Sequence, residues 1–173
     1  MPEWISEFIG WFNAPRLQAI LTFVGISIAT ISVVSVKATA KKKQTAEYLM
    51  ELRSDARLEK CIQRLRQLDG CENTNMLTLG LENKADDKDA QDLRYLLNHF
   101  ERLSVGIQEK IYDEKMVKKS QYSTFVKTYE RSQQFIRGVR KTSPTAYQEF
   151  EWLSLRWQKN PLKSRKKLSA VNT

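Results

Sequence analysis

Three groups of side chains in this sequence are of types that do chemistry. They are the aspartates Asp86, Asp87, Asp89 and Asp92, the acid pairs Asp113 with Glu114 and Glu149 with Glu151, and His99 with the thiols Cys61 and Cys71. Clustered carboxylates could hold a divalent cation, because hard cations take oxygen ligands. The spacing lacks the glycine that turns a calcium loop, and aspartates also gather where a helix begins and its dipole is positive. The helix-start reading is preferred, and no metal is expected. Paired carboxylates suit general acid–base hydrolysis, but Glu149 and Glu151 are two residues apart, and such neighbours diverge on a helix. His99 is the single histidine of the chain; with no nucleophile beside it in sequence it is read as structural. Cys61 and Cys71 lack the paired spacing of a zinc site and are too few for a disulfide framework, so reduced thiols are expected. No glycine-rich phosphate loop occurs. No catalytic, metal or cofactor-binding residue is assigned, and a hydrolase using Asp113, Glu114, Glu149 or Glu151 ranks last among the functional readings.

The basic residues carry a stronger signal. Lys and Arg number 29 against 20 Asp and Glu, for a formal charge of +9. That sign favours anionic partners, either phospholipid headgroups or nucleic acid. From 115 to 141 there are eight basic residues and one acid, Glu130. At helical spacing Lys119, Lys127, Arg131, Arg137 and Lys141 gather on an outer half, while Val117, Tyr122, Phe125, Val126, Tyr129, Ile136 and Val139 share an inner one. The tail at 161–173 adds Lys163, Arg165, Lys166 and Lys167 and is expected to be disordered. Together these cations form a candidate surface for an anionic partner.

The elements that must position them begin with an anchor. Residues 17–36 run for twenty positions without a charge. At about 1.5 Å per residue this reaches roughly 30 Å, the thickness of a bilayer's hydrocarbon core. Lys37, Lys41, Lys42 and Lys43 follow the run, whereas Arg16 is the one basic residue before it. The positive-inside rule then puts the C-terminal bulk in the cytoplasm and the N-terminus outside. Residues 1–16 place Trp4, Ile5, Phe8, Trp11 and Phe12 opposite Glu3 and Glu7, an amphipathic pattern suited to the headgroup layer. A cleaved signal peptide is disfavoured, because the run is too long and its leader is acidic where it should be basic. Within the span Thr22, Gly25, Ala29 and Ser32 form a stripe of small residues that would support packing against a second membrane helix, and so a homo-oligomer.

The rest, 37–160, reads as a cytoplasmic helical domain. A helix is expected over about 39–68, although its apolar stripe changes face partway. Residues 69–88 read as a long polar connection and the least ordered part. Helices then follow over about 87–110 and from an N-cap at Asp113 to 141, and a last one starts at Ser143-Pro144 and ends at Pro161. The expected fold is all-α: one N-terminal transmembrane helix and a small bundle of about four helices. No strand-alternating segment of useful length appears.

Two stretches, GIQEKIYDEKMV at 106–117 and PTAYQEFEWLSLRW at 144–157, stand out together. The chain resembles a family of uncharacterised bacterial proteins, a domain of unknown function with motifs of the form GIYDEEMV and YEEFEWL. Gln108, Glu109 and Lys110 interrupt the compact first motif. The resemblance implies a bacterial origin and a membrane helix before a helical domain, and it carries no activity.

These readings converge on a membrane-tethered, non-catalytic interaction or regulatory module at the bacterial inner membrane, with a protein partner. Association with other small anchored proteins suggests a stress or phage-defence setting. The alternative is a membrane-associated nucleic-acid binder using helix 115–141 and the tail.

Overall fold

The computed structural model describes Trp4 and residues 14–71 and 74–162. All regular structure among them is helical: α1 (Ala14–Ser54), α2 (Ala56–Asp69), α3 (Met76–Leu79), a 3-10 turn (Glu82–Lys84), α4 (Lys88–Gln108), α5 (Glu114–Val139) and α6 (Gln148–Lys159). The chain divides into two units, Met1–Lys41 and Lys42–Thr173.

The first unit holds the apolar part of α1. This helix is long and apolar enough to cross a membrane, and none of its most apolar stretch is buried by the rest of the chain. The hydroxyls of Thr22, Ser27 and Thr30 each donate to the carbonyl four residues back at 2.8 Å. These three polar side chains are thereby satisfied inside the helix, as an apolar surrounding requires. Thr22, Gly25, Ala29 and Ser32 are all exposed. The aromatic segment at 1–16 lies outside the described residues, except for Trp4 and the first turn of α1. The cations Lys163, Arg165, Lys166 and Lys167 lie outside them too.

The second unit is a bundle of four principal helices, α2, α4, α5 and α6, joined by the end of α1 and the one-turn α3. The helix expected over 39–68 is broken at Asp55, whose ψ of 87° leaves helical geometry. Its carboxylate accepts from the Leu58 N–H at 2.9 Å and from the Tyr95 hydroxyl at 2.8 Å. This N-cap explains the stripe that changes face. The break re-phases the chain, so that Tyr48 and Leu52 before it and Leu58, Cys61, Leu65 and Leu68 after it all pack on one core.

The stretch at 69–88 is not the unstructured connection its polarity suggested. Met76 is buried and Asn75 caps α3 by accepting from the Thr78 N–H at 3.0 Å. Gly80 then meets Gly138 of α5 at close range. A Cβ on Gly138 would lie 2.2 Å from the Leu77 carbonyl oxygen and 3.0 Å from the Gly80 Cα, so the absence of side chains is what lets the two backbones approach. The apolar residues of MLTLGL, outnumbered by polar neighbours in sequence, drive this docking.

In α4, Leu93, Leu96, Leu97, Phe100, Leu103 and Ile107 form the expected buried face. Phe125 of α5 sits fully buried against Phe100, Phe150 and Trp157, with ring centroids 5.1, 4.8 and 4.7 Å away. The last helix starts at Gln148, several residues beyond Ser143-Pro144, because Tyr147 takes a left-handed φ of 59°. Its first turn is capped from α4. Glu101 accepts from the Phe150 N–H at 2.7 Å and the Glu149 N–H at 3.3 Å, while burial pushes its carboxyl above the usual carboxylate range.

Two substitutions test this packing by chemical denaturation. Alanine in a helix interior outranks glycine by about 1 kcal/mol, yet Gly138→Ala is expected to lower stability by a net of about 1–2 kcal/mol through the clash with α3. A neutral or stabilised variant would contradict the close crossing. Glu101→Ala orphans the Phe150 amide and is expected to cost about 1–3 kcal/mol, with Glu101→Gln milder because one acceptor remains.

Candidate functional site

The fold gives a structural role to most of the acids that could have done chemistry. Asp113 caps α5 by accepting from the Met116 N–H at 3.0 Å, and its own N–H donates to Thr45 Oγ1 at 2.8 Å. Glu114 accepts from the Trp157 indole N–H at 3.1 Å and pairs with Arg156 at 3.0 Å. Glu151 accepts from the Tyr129 hydroxyl at 2.6 Å and pairs with Arg140 at 2.7 Å. Burial raises the Glu151 carboxyl, but the bonds from Tyr129 and Arg140 outweigh it and hold the group below its ordinary value. The Tyr129 hydroxyl is pushed up to about 12, by burial first and then by its bond to Glu151. Glu149 accepts from the side-chain amide of the neighbouring Gln148 at 2.9 Å.

The aspartates behave as a helix start. Asp87 accepts from the Asp89 N–H at 2.9 Å and caps α4. Asp89 takes two bonds from the Arg64 guanidinium, at 2.6 and 2.7 Å, which hold its carboxyl below the usual range. No group of three or more His, Cys, Asp or Glu able to hold a metal ion occurs among the described residues.

His99 lies at the seam between α4 and the end of α1. Its Nε2 is hydrogen-bonded to the Tyr48 hydroxyl, with the rings stacked at 5.5 Å, and Tyr48 lies 4.8 Å from Tyr112. Gly106 makes room for Tyr112, since a Cβ there would fall 2.4 Å from the ring. Burial, followed by the nearby Arg102 charge, lowers the His99 pKa, while Asp55 and Glu51 oppose this.

The cations remain. Lys119, Lys127 and Arg137 are exposed along α5 and Lys141 just beyond its end, whereas Arg131 is half-buried and pairs with Asp69 of α2 at 3.3 Å. The fold adds basic residues that the reading of α5 alone missed. With Leu58, Cys61, Leu65 and Leu68 turned inward, α2 presents Arg57, Lys60, Arg64 and Arg66 outward on both flanks. The signal for them was the amphipathic pattern of α2, and their juxtaposition with α5 is tertiary. Between α2 and α4 lies a cleft of about 500 Å³ lined by Arg57, Lys60, Arg64, Lys88, Asp89 and Asp92 with Cys61. Burial pushes the Cys61 thiol up to about 11, and Asp92 adds to the effect, so it is no nucleophile at neutral pH. Between α2 and α5 lies a smaller depression of about 100 Å³, lined by Arg66, Lys127 and Arg131 together with Ser123, Thr124 and Thr128.

A family model for a domain of unknown function, DUF4760, matches residues 17–157. The chain belongs to that family. No curated protein and no solved structure matches it. The matched segment opens at the first residue of the apolar run and closes at Trp157, whose indole Glu114 holds. The DUF4760 domain of this chain thus includes both the apolar helix and the bundle. The stretches at 106–117 and 144–157 meet in space through Glu114, Arg156 and Trp157.

The His99 geometry sets a pH dependence. Its folded-state pKa lies below the ordinary 6.5, so the stability it contributes is complete above that value and is lost as pH falls below it. His99→Gln is expected to flatten the decline of Tm on the acid side of about pH 6.5. An unchanged decline would assign it to other groups.

Proposed function

We propose that this DUF4760 protein is a single-pass, membrane-tethered interaction or regulatory module, non-catalytic, with its basic bundle on the cytoplasmic face of a bacterial inner membrane. The observation that carries this reading is the apolar part of α1, which is exposed along its length among the described residues. A fully exposed apolar helix of this length needs an apolar medium, and lipid supplies one. Lys37, Lys41, Lys42 and Lys43 on its C-terminal side support the cytoplasmic placement of the bundle.

The non-catalytic part of the reading draws on what the acids do. Asp113, Glu114 and Glu151 are engaged in caps and buried hydrogen bonds, and Glu149 accepts from Gln148. Cations exposed on α2 and α5 are left for an anionic protein partner or for anionic headgroups. The alternative is nucleic acid on the same face. It would be marked by binding that weakens steeply with salt, by about one unit of log–log slope per phosphate contact.

Topology can be read with the native thiols, since Cys71 is exposed and Cys61 is buried. A membrane-impermeant maleimide is expected to label Cys71 in inverted membrane vesicles but not in intact spheroplasts, and Cys71→Ser should abolish the label. Labelling in intact spheroplasts would reverse the orientation. Recovery of the full-length protein without membranes would remove the tether altogether.

A further inference from the structure

We propose that the depression between α2 and α5 is an oxyanion site that takes a phosphate monoester. The inference deepens the reading of this face as anion-binding and is independent of which way the membrane helix runs.

Five of its groups come from one face of α5. Ser123, Thr124, Lys127, Thr128 and Arg131 recur at intervals of about one turn, so a rigid helix presents three hydroxyls and two cations to the same point. Arg66 approaches from α2. Thr128 is only 3% exposed, and its side chain lines the depression together with those of Ser123 and Thr124. Arg66 and Lys127 have no ion pair among the described residues, and no acid lines the depression. The Arg131 pair with Asp69 runs through its Nε at 3.3 Å and holds the guanidinium at the rim.

Size selects the ligand. At about 100 Å³ the space has room for a few waters, each with a share of about 30 Å³, or for one tetrahedral oxyanion. Hydroxyl donors with converging guanidinium and ammonium groups match phosphate oxygens in number and sign. The larger cleft between α2 and α4 is a poorer candidate, because Asp89 and Asp92 line it and Arg64 is already bound by Asp89.

The test uses the full-length protein in nanodiscs of neutral lipid. Inorganic phosphate and phenyl phosphate are titrated by calorimetry at constant ionic strength. Saturable binding is expected, weakened about tenfold by Lys127→Gln and about threefold to tenfold by Thr128→Val, the losses of a charge-assisted and a neutral hydrogen bond. Lys84→Gln and Lys159→Gln remove the same charge from exposed positions away from the α2–α5 face and should leave binding within about twofold. Equal weakening by these controls, or no saturation, overturns the proposal in favour of diffuse electrostatics. Vesicles containing phosphatidic acid or phosphatidylserine at matched surface charge then identify the source. A preference for phosphatidic acid that Thr128→Val removes makes the monoester a lipid headgroup; binding of the soluble monoester alone makes it a free ligand. Binding confined to an oligonucleotide overturns the proposal. Failure of the wider anionic-surface reading looks different: charged vesicles bind no better than neutral ones, while the phosphate titration and its Thr128 dependence persist.

Discussion

The bundle depends on Phe125. It is fully buried on α5, and it touches Phe100 of α4 and both Phe150 and Trp157 of α6. The Phe100 and Phe150 contacts are edge-to-face, which suits the charge distribution of the rings. Burying an indole in this cluster creates a polar demand, because the Trp157 N–H leaves water and must find an acceptor. Glu114 meets it from the first turn of α5 and binds Arg156 with its other oxygen. The apolar junction and the acidic residue are therefore one device, and together they set where α6 lies across α4 and α5.

The other buried polar groups follow the same rule. Tyr129, near the aromatic cluster, directs its hydroxyl to Glu151, which Arg140 neutralises. Glu101 crosses from α4 to cap α6, a helix whose own preceding residue has no side-chain cap bond. Asp55 breaks the long helix and in the same stroke binds Tyr95. Each carboxylate satisfies orphan N–H or O–H groups that close packing would otherwise strand. The two stretches that mark the family resemblance are rich in such groups, and they meet at Glu114. In this chain those stretches maintain a packing arrangement, in which Glu114 is held by Trp157 and Arg156 and Glu151 by Tyr129 and Arg140.

Charge is distributed on the same principle. Asp55, Glu101, Asp113, Glu114 and Glu151 are taken up in caps and pairs, while exposed cations line α2 and α5. Where these helices lie side by side, Arg66 joins Lys127 and Arg131 above three hydroxyls. Positive charge is thus expressed unevenly over the surface of the bundle.

Local physics was legible in the residues alone. The uncharged run at 17–36 has one economical solution, a helix that satisfies its own backbone, and the Asp87 and Asp113 caps announce the next two long helices through side-chain bonds only two or three residues long. The face of α4 follows from a 3.6-residue period that no partner alters. Tertiary structure decided everything that joins residues far apart in the chain. The stripe change near 56 could be read but not its cause, since Asp55 also needs Tyr95, forty residues on. The start of α6 moved to Gln148 because its cap comes from Glu101. Within the apparent loop, α3 docks because Gly138, far downstream, leaves room for Gly80. Arg66 and Thr128 became neighbours only when α2 packed on α5, for periodicity tells which side of a helix faces inward but not which other helix it meets.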